Sequence, residues 1–181
     1  MLLEAIEKRR SIRKFQDAPV TDDQLHQLLE AAMLAPSAKN GQPWQFIVVK
    51  SAETRRRLRE SQPYASSLDT APVCICVCGR VDPQLPDYYQ QDCAAATQNM
   101  LLQAQSLGLG TCWMGVAPRP ERMAAVAKIL GIPEGIAPFC LVAVGVPAEE
   151  RPTPQRYDEA RVHRERYFGS VPTAEEGTMD I

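Results

Sequence analysis

Three short segments combine residue types and spacings that suit the holding of a flat, phosphate-bearing ligand. Arg9-Arg10-Ser11-Ile12-Arg13 sets three guanidiniums and a hydroxyl within five residues. Arginine can grip a phosphate through two parallel N–H donors, and serine adds one more bond. Ala35-Pro36-Ser37-Ala38-Lys39-Asn40-Gly41-Gln42-Pro43-Trp44 stops a helix at proline and then offers two amides, Asn40 and Gln42. Each amide both donates and accepts, which suits the edge of a heterocycle. Gly108-Leu109-Gly110-Thr111-Cys112-Trp113-Met114-Gly115 spreads three glycines through eight residues, so backbone can approach a flat ligand closely. Each segment also has a plainer reading: a solvated helix end, a generic loop, and a tight turn beside a core tryptophan.

The usual catalytic signatures are missing. There is no Gly-x-Gly-x-x-Gly after a strand, no Gly-Lys-Ser/Thr phosphate loop and no Gly-x-Ser-x-Gly elbow. The two histidines, His26 and His163, fall in polar stretches and read as solvated. Arg55-Arg56-Arg57-Leu58-Arg59 lies between Glu53 and Glu60 and reads as a solvated helix face. Cys74, Cys76 and Cys78 alternate, which on a strand puts three thiols on one face. That is a poor cage for tetrahedral zinc, so they read as small buried hydrophobes, as do Cys93, Cys112 and Cys140. Side chains so ill-equipped for chemistry point to a cofactor that carries it.

Composition sets the frame for these segments. The chain has 181 residues, 45% apolar and 23% charged, which fits one soluble globular domain. Twenty basic residues against 22 acidic ones leave a net charge of −2, the wrong balance for a dedicated nucleic-acid binder. Within that balance 15 of the basic residues are arginine and five lysine, which asks where the arginines sit. The longest apolar runs, Ala71–Cys78 and the interrupted Gly135–Pro147, fall short of the ~18 residues that cross a bilayer. The N-terminus carries acids where a signal peptide would be basic, so the expected location is the cytoplasm.

The elements that must position the three segments follow from periodicity. A short helix near Leu2–Arg10 precedes an extended Ser11–Phe15. Thr21 and Gln24 form a capping box ahead of the stripe Leu25, Leu28, Leu29, Ala32. Strands are expected at Trp44–Lys50, Val73–Cys78, around Leu109–Gly115 and at Phe139–Val146. Helices are expected at Ser51–Glu60, Tyr88–Leu107 and Arg119–Leu130, with a shorter one at Asp158–Tyr167. Tyr88–Leu107 is apolar over most of its circumference through Ala94, Ala95, Ala96, Met100, Leu101, Leu102 and Ala104. Such a helix needs cover on all sides, and a second subunit is a natural source. Interleaved helices and strands without regular alternation indicate an α+β fold. Residues 1–168 read as one domain and 169–181 as a disordered tail.

In order and spacing, the three segments resemble the FMN-dependent nitroreductase family, in its short single-domain bacterial and archaeal form, over about residues 2–168. The resemblance implies a central, mostly antiparallel sheet of roughly four or five strands flanked by helices. It also implies an intertwined homodimer with FMN at the interface. NAD(P)H would donate hydride, and the acceptor would be a nitroaromatic, a quinone or a similar small molecule, in a ping-pong cycle. Carried over by position, Arg9, Arg10 and Ser11 look like phosphate and ribityl contacts, with Arg156 as a late phosphate contact. Arg13 looks like the cation that stabilises the reduced flavin, and no side chain need act as nucleophile. Pro36, Ser37, Ala38 and Asn40 resemble the strip given by the other subunit, supported by Gln42, and Trp113, Met114 and Gly115 resemble the backbone turn beside the ring.

Two departures stand out. Thr153 and Gln155 occur where the family often has a second basic residue, and no polar flavin contact can be assigned around Tyr64–Ser67. Relatives with the same fold dehalogenate iodotyrosine or break flavin down, usually with an extra lid, whereas Gly79–Asp87 is short. The remaining alternatives are a flavin binder without reductase activity and a thiol or metal protein built on the cysteines.

Overall fold

β-Branched, aromatic and cysteine residues concentrate in four runs: β1 (Trp44–Val49), β2 (Val73–Arg80), β3 (Gly110–Gly115) and β4 (Ile136–Gly145). In the computed structural model, which describes residues 1–84 and 88–169, they form one sheet in the order β1-β2-β4-β3. Every neighbouring pair is antiparallel. Alternation sorts their side chains onto two faces. Val73, Ile75 and Val77, with Cys140, Val142 and Val144, pack against α2 (Asp22–Met33) and α4 (Tyr88–Ser106). Cys74, Cys76 and Cys78, with Leu141, Ala143, Cys112 and Met114, meet Leu58 of α3 (Ala52–Glu60) and Val126 of α5 (Pro120–Leu130). The result is a sheet with helices on both sides, an α+β fold.

All six cysteines are free and buried, and they serve as compact core residues. Burial pushes the thiols of Cys74 and Cys93 up to about 12, so they stay neutral at any physiological pH.

Local signals fix the helix ends. The Thr21 hydroxyl accepts from the Gln24 N–H at 3.1 Å, and the Gln24 side chain accepts from the Thr21 N–H at 2.9 Å. Pro120 opens α5, and Gly131, at φ 66°, closes it. The opening helix is shorter than expected: α1 covers Glu4–Lys8 and leaves Leu2, Leu3 and Ile6 exposed.

One further expectation is corrected. Only a three-residue 3-10 turn, Glu159–Arg161, forms where a helix was expected over Asp158–Tyr167. Almost every residue of that arm is exposed, so no apolar face supports a longer helix. Its own chain leaves α4 partly uncovered, since Ala94, Ala95 and Leu102 remain half-buried. The expected tail lies outside the described residues except for Gly169. Among the described residues no helix is long and apolar enough to cross a membrane.

Candidate functional site

The segment after α1 lies along the outer edge of β3. Ser11 pairs in parallel with Thr111, the Ile12 N–H donates to the Thr111 carbonyl at 2.8 Å, and the Gln16 N–H donates to the Val146 carbonyl at 2.9 Å. This crossing depends on Gly110: a Cβ there would lie 2.9 Å from that of Ile12. Of the three glycines expected near a ligand, Gly108 ends α4 at φ 72° and Gly110 admits Ile12. Gly108 and Gly115 are both exposed with open space before them, and of the two only Gly115 lies in β3.

Because the Thr111 carbonyl points away from β4, ladder alternation turns the backbone of Trp113 and Gly115 the same way, off the sheet edge. Their N–H groups are therefore presented outward. The side chains between them are tied down: the Ser67 hydroxyl donates to the Met114 sulfur at 3.1 Å, and Trp113 meets Phe139 edge-on at 5.6 Å. Arg122 reaches the Gly115 carbonyl at 3.4 Å.

The arginines separate into distinct roles. Arg9 is half-buried, and no carboxylate pairs with it or with Arg156 among the described residues. Burial first, then the charges of Arg10 and Arg156, draw its pKa below the ordinary arginine value. Two cations 147 positions apart in sequence thus share one neighbourhood, and neither forms an ion pair among the described residues. The Arg10 guanidinium donates to the carbonyls of Glu7 at 2.7 Å and Pro152 at 2.9 Å and to that of Arg9. It is a clasp between α1 and the C-terminal arm, with three of its five N–H donors given to backbone carbonyls. Arg13 is exposed, and Glu149 accepts from its backbone N–H at 2.6 Å.

Two polar residues escaped the sequence reading. Gln62 is 4% exposed, and neither its amide oxygen nor its nitrogen has a partner. A buried amide left unpaired costs roughly 1–3 kcal/mol per group, so an arrangement that keeps one free needs a reason. Gln62 stands just before Tyr64–Ser67, the stretch in which the sequence marks no polar flavin contact. Its neighbours Tyr64 and Ser67 touch Arg122 and Met114, which puts this loop beside the end of β3. The second is Asp92 in α4, 8% exposed, whose carboxylate accepts from the Ala38 N–H at 2.9 Å.

Asp92 braces the strip that begins at Pro36. Lys39, Asn40 and Gln42 take φ values of 51°, 52° and 43°, a left-handed backbone that non-glycine residues adopt at a cost. Ser37 Oγ accepts from the Gln42 N–H at 3.0 Å, and the Gln42 amide donates to Asn40 Oδ1 at 2.9 Å, holding the strained loop in place. Ser37 and Ala38 are half-buried, while Pro36, Asn40 and Gln42 face solvent. The strip leads into β1, at one edge of the sheet, while Arg9–Arg13 and Gly115 belong to the β3 edge. Three strand spacings, about 14 Å, separate those edges. One chain therefore does not bring the two halves of the expected site together.

A sequence model of the nitroreductase family matches residues 6–63 and 59–146. A protein of Archaeoglobus fulgidus, provisionally named an NADH dehydrogenase/NAD(P)H nitroreductase, is 44% identical over 172 residues, covering 91% of this chain and 98% of its own. Among solved structures, a Clostridium acetobutylicum protein provisionally named an NADH oxidase superposes with a TM-score of 0.87 at 38% identity, over 91% of this chain and all of its own. A Clostridium difficile R20291 protein described as an FMN-dependent nitroreductase gives 0.84 at 30% identity, over 90% of this chain and 98% of its own.

Proposed function

The chain belongs to the nitroreductase family of NAD(P)H oxidoreductases, and from that premise we propose that it binds FMN in sites shared between two identical subunits. Bound FMN would supply the redox chemistry, relaying hydride from NAD(P)H to a nitroaromatic, quinone or similar acceptor in a ping-pong cycle.

The observation that carries this reading is the unbalanced pair Arg9 and Arg156. A phosphate dianion between them would relieve their repulsion and satisfy donors that the protein leaves free. The Ser11 hydroxyl adds a donor on the same segment. Gln62 offers a buried donor and acceptor with no protein partner, which suits the polar edge of a flavin ring. The outward N–H groups of Trp113 and Gly115 supply fixed donors, and Arg13 supplies a cation for negative charge that gathers on the ring. The chain's residues bind and orient, and none serves as nucleophile.

The strip of Pro36, Ser37, Ala38, Asn40 and Gln42 completes the site from the second subunit. Its position on the opposite sheet edge supports this reading, because a single chain cannot fold it onto Arg13. The half-covered Ala94, Ala95 and Leu102 of α4 give the two subunits an apolar face to share. Residues 1–168 form one flavin-binding domain, and use of NAD(P)H agrees with the expected cytoplasmic location.

The purified protein should show the yellow flavin absorbance, release FMN on denaturation, and bleach without oxygen on addition of NADH or NADPH. A protein that stays colourless and takes up no added FMN sinks the proposal. Arg9→Gln should weaken FMN binding by about tenfold or more while leaving riboflavin, which lacks the phosphate, nearly unaffected. Equal losses for both ligands would remove Arg9 from the phosphate.

A further inference from the structure

We propose that Tyr64 and Arg122 form a shelf at the open end of β3 that selects aromatic acceptors carrying a negative charge. The inference rests on the flavin reading above and deepens it by naming a substrate class.

Tyr64 is 63% exposed, an aromatic ring left at the surface. The Arg122 guanidinium carbon stands 5.5 Å from the centre of that ring, and its NH1 donates to the Gly115 carbonyl at 3.4 Å. These two contacts fix the guanidinium between the loop that carries the unpaired Gln62 and the strand end whose backbone faces the ring site. Arg122 has no carboxylate partner among the described residues, so most of its N–H donors remain free.

Helix stability gives no reason for this cation. Arg122 lies in the first turn of α5, where a positive charge opposes the helix dipole, and Arg119 just before the helix adds a second exposed cation. Glu121 is exposed on the same turn and forms no ion pair with either. A half-buried arginine beside an exposed aromatic face is suited to a flat anion: the ring lodges against Tyr64, and a carboxylate or similar oxygen pair meets the guanidinium fork. Gly115 ties this shelf to the reaction site through its carbonyl, so a ring held there lies next to the place proposed for the flavin.

The test compares 4-nitrobenzoate with the uncharged 4-nitrobenzamide on the FMN-loaded protein. Binding of the non-reducible analogues benzoate and benzamide is followed separately by calorimetry. Wild type should favour the benzoate forms in both KM and Kd, and the preference should shrink as salt is raised. Arg122→Gln should lower the benzoate-to-benzamide ratio of kcat/KM about tenfold, with a matching loss in benzoate affinity. Arg122→Lys, which keeps the charge, should restore part of the preference. No preference in wild type overturns the shelf, as does an equal loss for both compounds in Arg122→Gln. Should that variant fail to fold, the salt dependence and the Lys variant still decide. FMN content and bleaching by NAD(P)H without acceptor report on the flavin reading independently.

Discussion

The Glu149 carboxylate accepts from the backbone N–H groups of Arg13, at 2.6 Å, and Lys14, at 3.3 Å, and from the Arg151 guanidinium at 3.0 Å. It thus holds the chain beneath Arg13 while leaving the Arg13 guanidinium free. Burial alone would raise the Glu149 pKa, but the Arg13 N–H, the Arg151 charge and the Lys14 N–H outweigh it, and the net shift is downward. Because the folded pKa is depressed, this brace is in force above the unfolded value of roughly 4.3 and is lost as the pH falls through the lower folded value. FMN affinity should therefore weaken in that acidic range, and Glu149→Gln should flatten the dependence while weakening affinity at neutral pH. An unchanged acid profile in the variant would assign the effect elsewhere. Glu149 could not be found in the sequence because its partner lies 136 residues away. Gln62 was hidden for a different reason: a glutamine is ordinary on a surface and becomes informative only once it is seen to be buried and unpaired. The arginine segment was readable as a cluster, yet sequence gave no means to tell the free Arg9 from the clasped Arg10.

Among the elements, readable features are those whose partners are close in sequence. The Thr21–Gln24 box, the Pro120 start and the Gly131 stop all act within one helical turn and stand as expected. Thr21→Ala should cost about 1 kcal/mol in urea unfolding, since it frees one helix-end donor. The alternation of Cys74, Cys76 and Cys78 likewise specified one sheet face. The glycines of β3 were misjudged in part, because the neighbour that requires Gly110 is Ile12, on a segment 98 positions earlier. Gly110→Ala should destabilise the protein by ~1–3 kcal/mol and loosen the Ser11–Thr111 pairing, with a lower Tm and reduced FMN affinity. Asp92→Ala should cost a similar ~1–3 kcal/mol by leaving the Ala38 N–H unpaired, and should relax the left-handed turn at Lys39–Gln42. The C-terminal arm defeated periodicity because almost all of its described residues are exposed and no apolar face supports a helix there. Its Arg10 clasp should resist proteolysis better once FMN is bound, since phosphate would join Arg156 to Arg9.

At the scale of the whole molecule, the proposed dimer follows from the placing of the segments on opposite sheet edges, and size measurement should find a pair that persists on dilution. That same separation has a genetic consequence. Take two inactive variants, one altered at Arg13 and the other at Asn40, and let them exchange subunits. In a mixed pair one site inherits both defects and the other inherits neither. With random mixing, roughly a quarter of all sites should be whole again. Two dead proteins would then complement each other in one tube, with each lending the half that its partner lost.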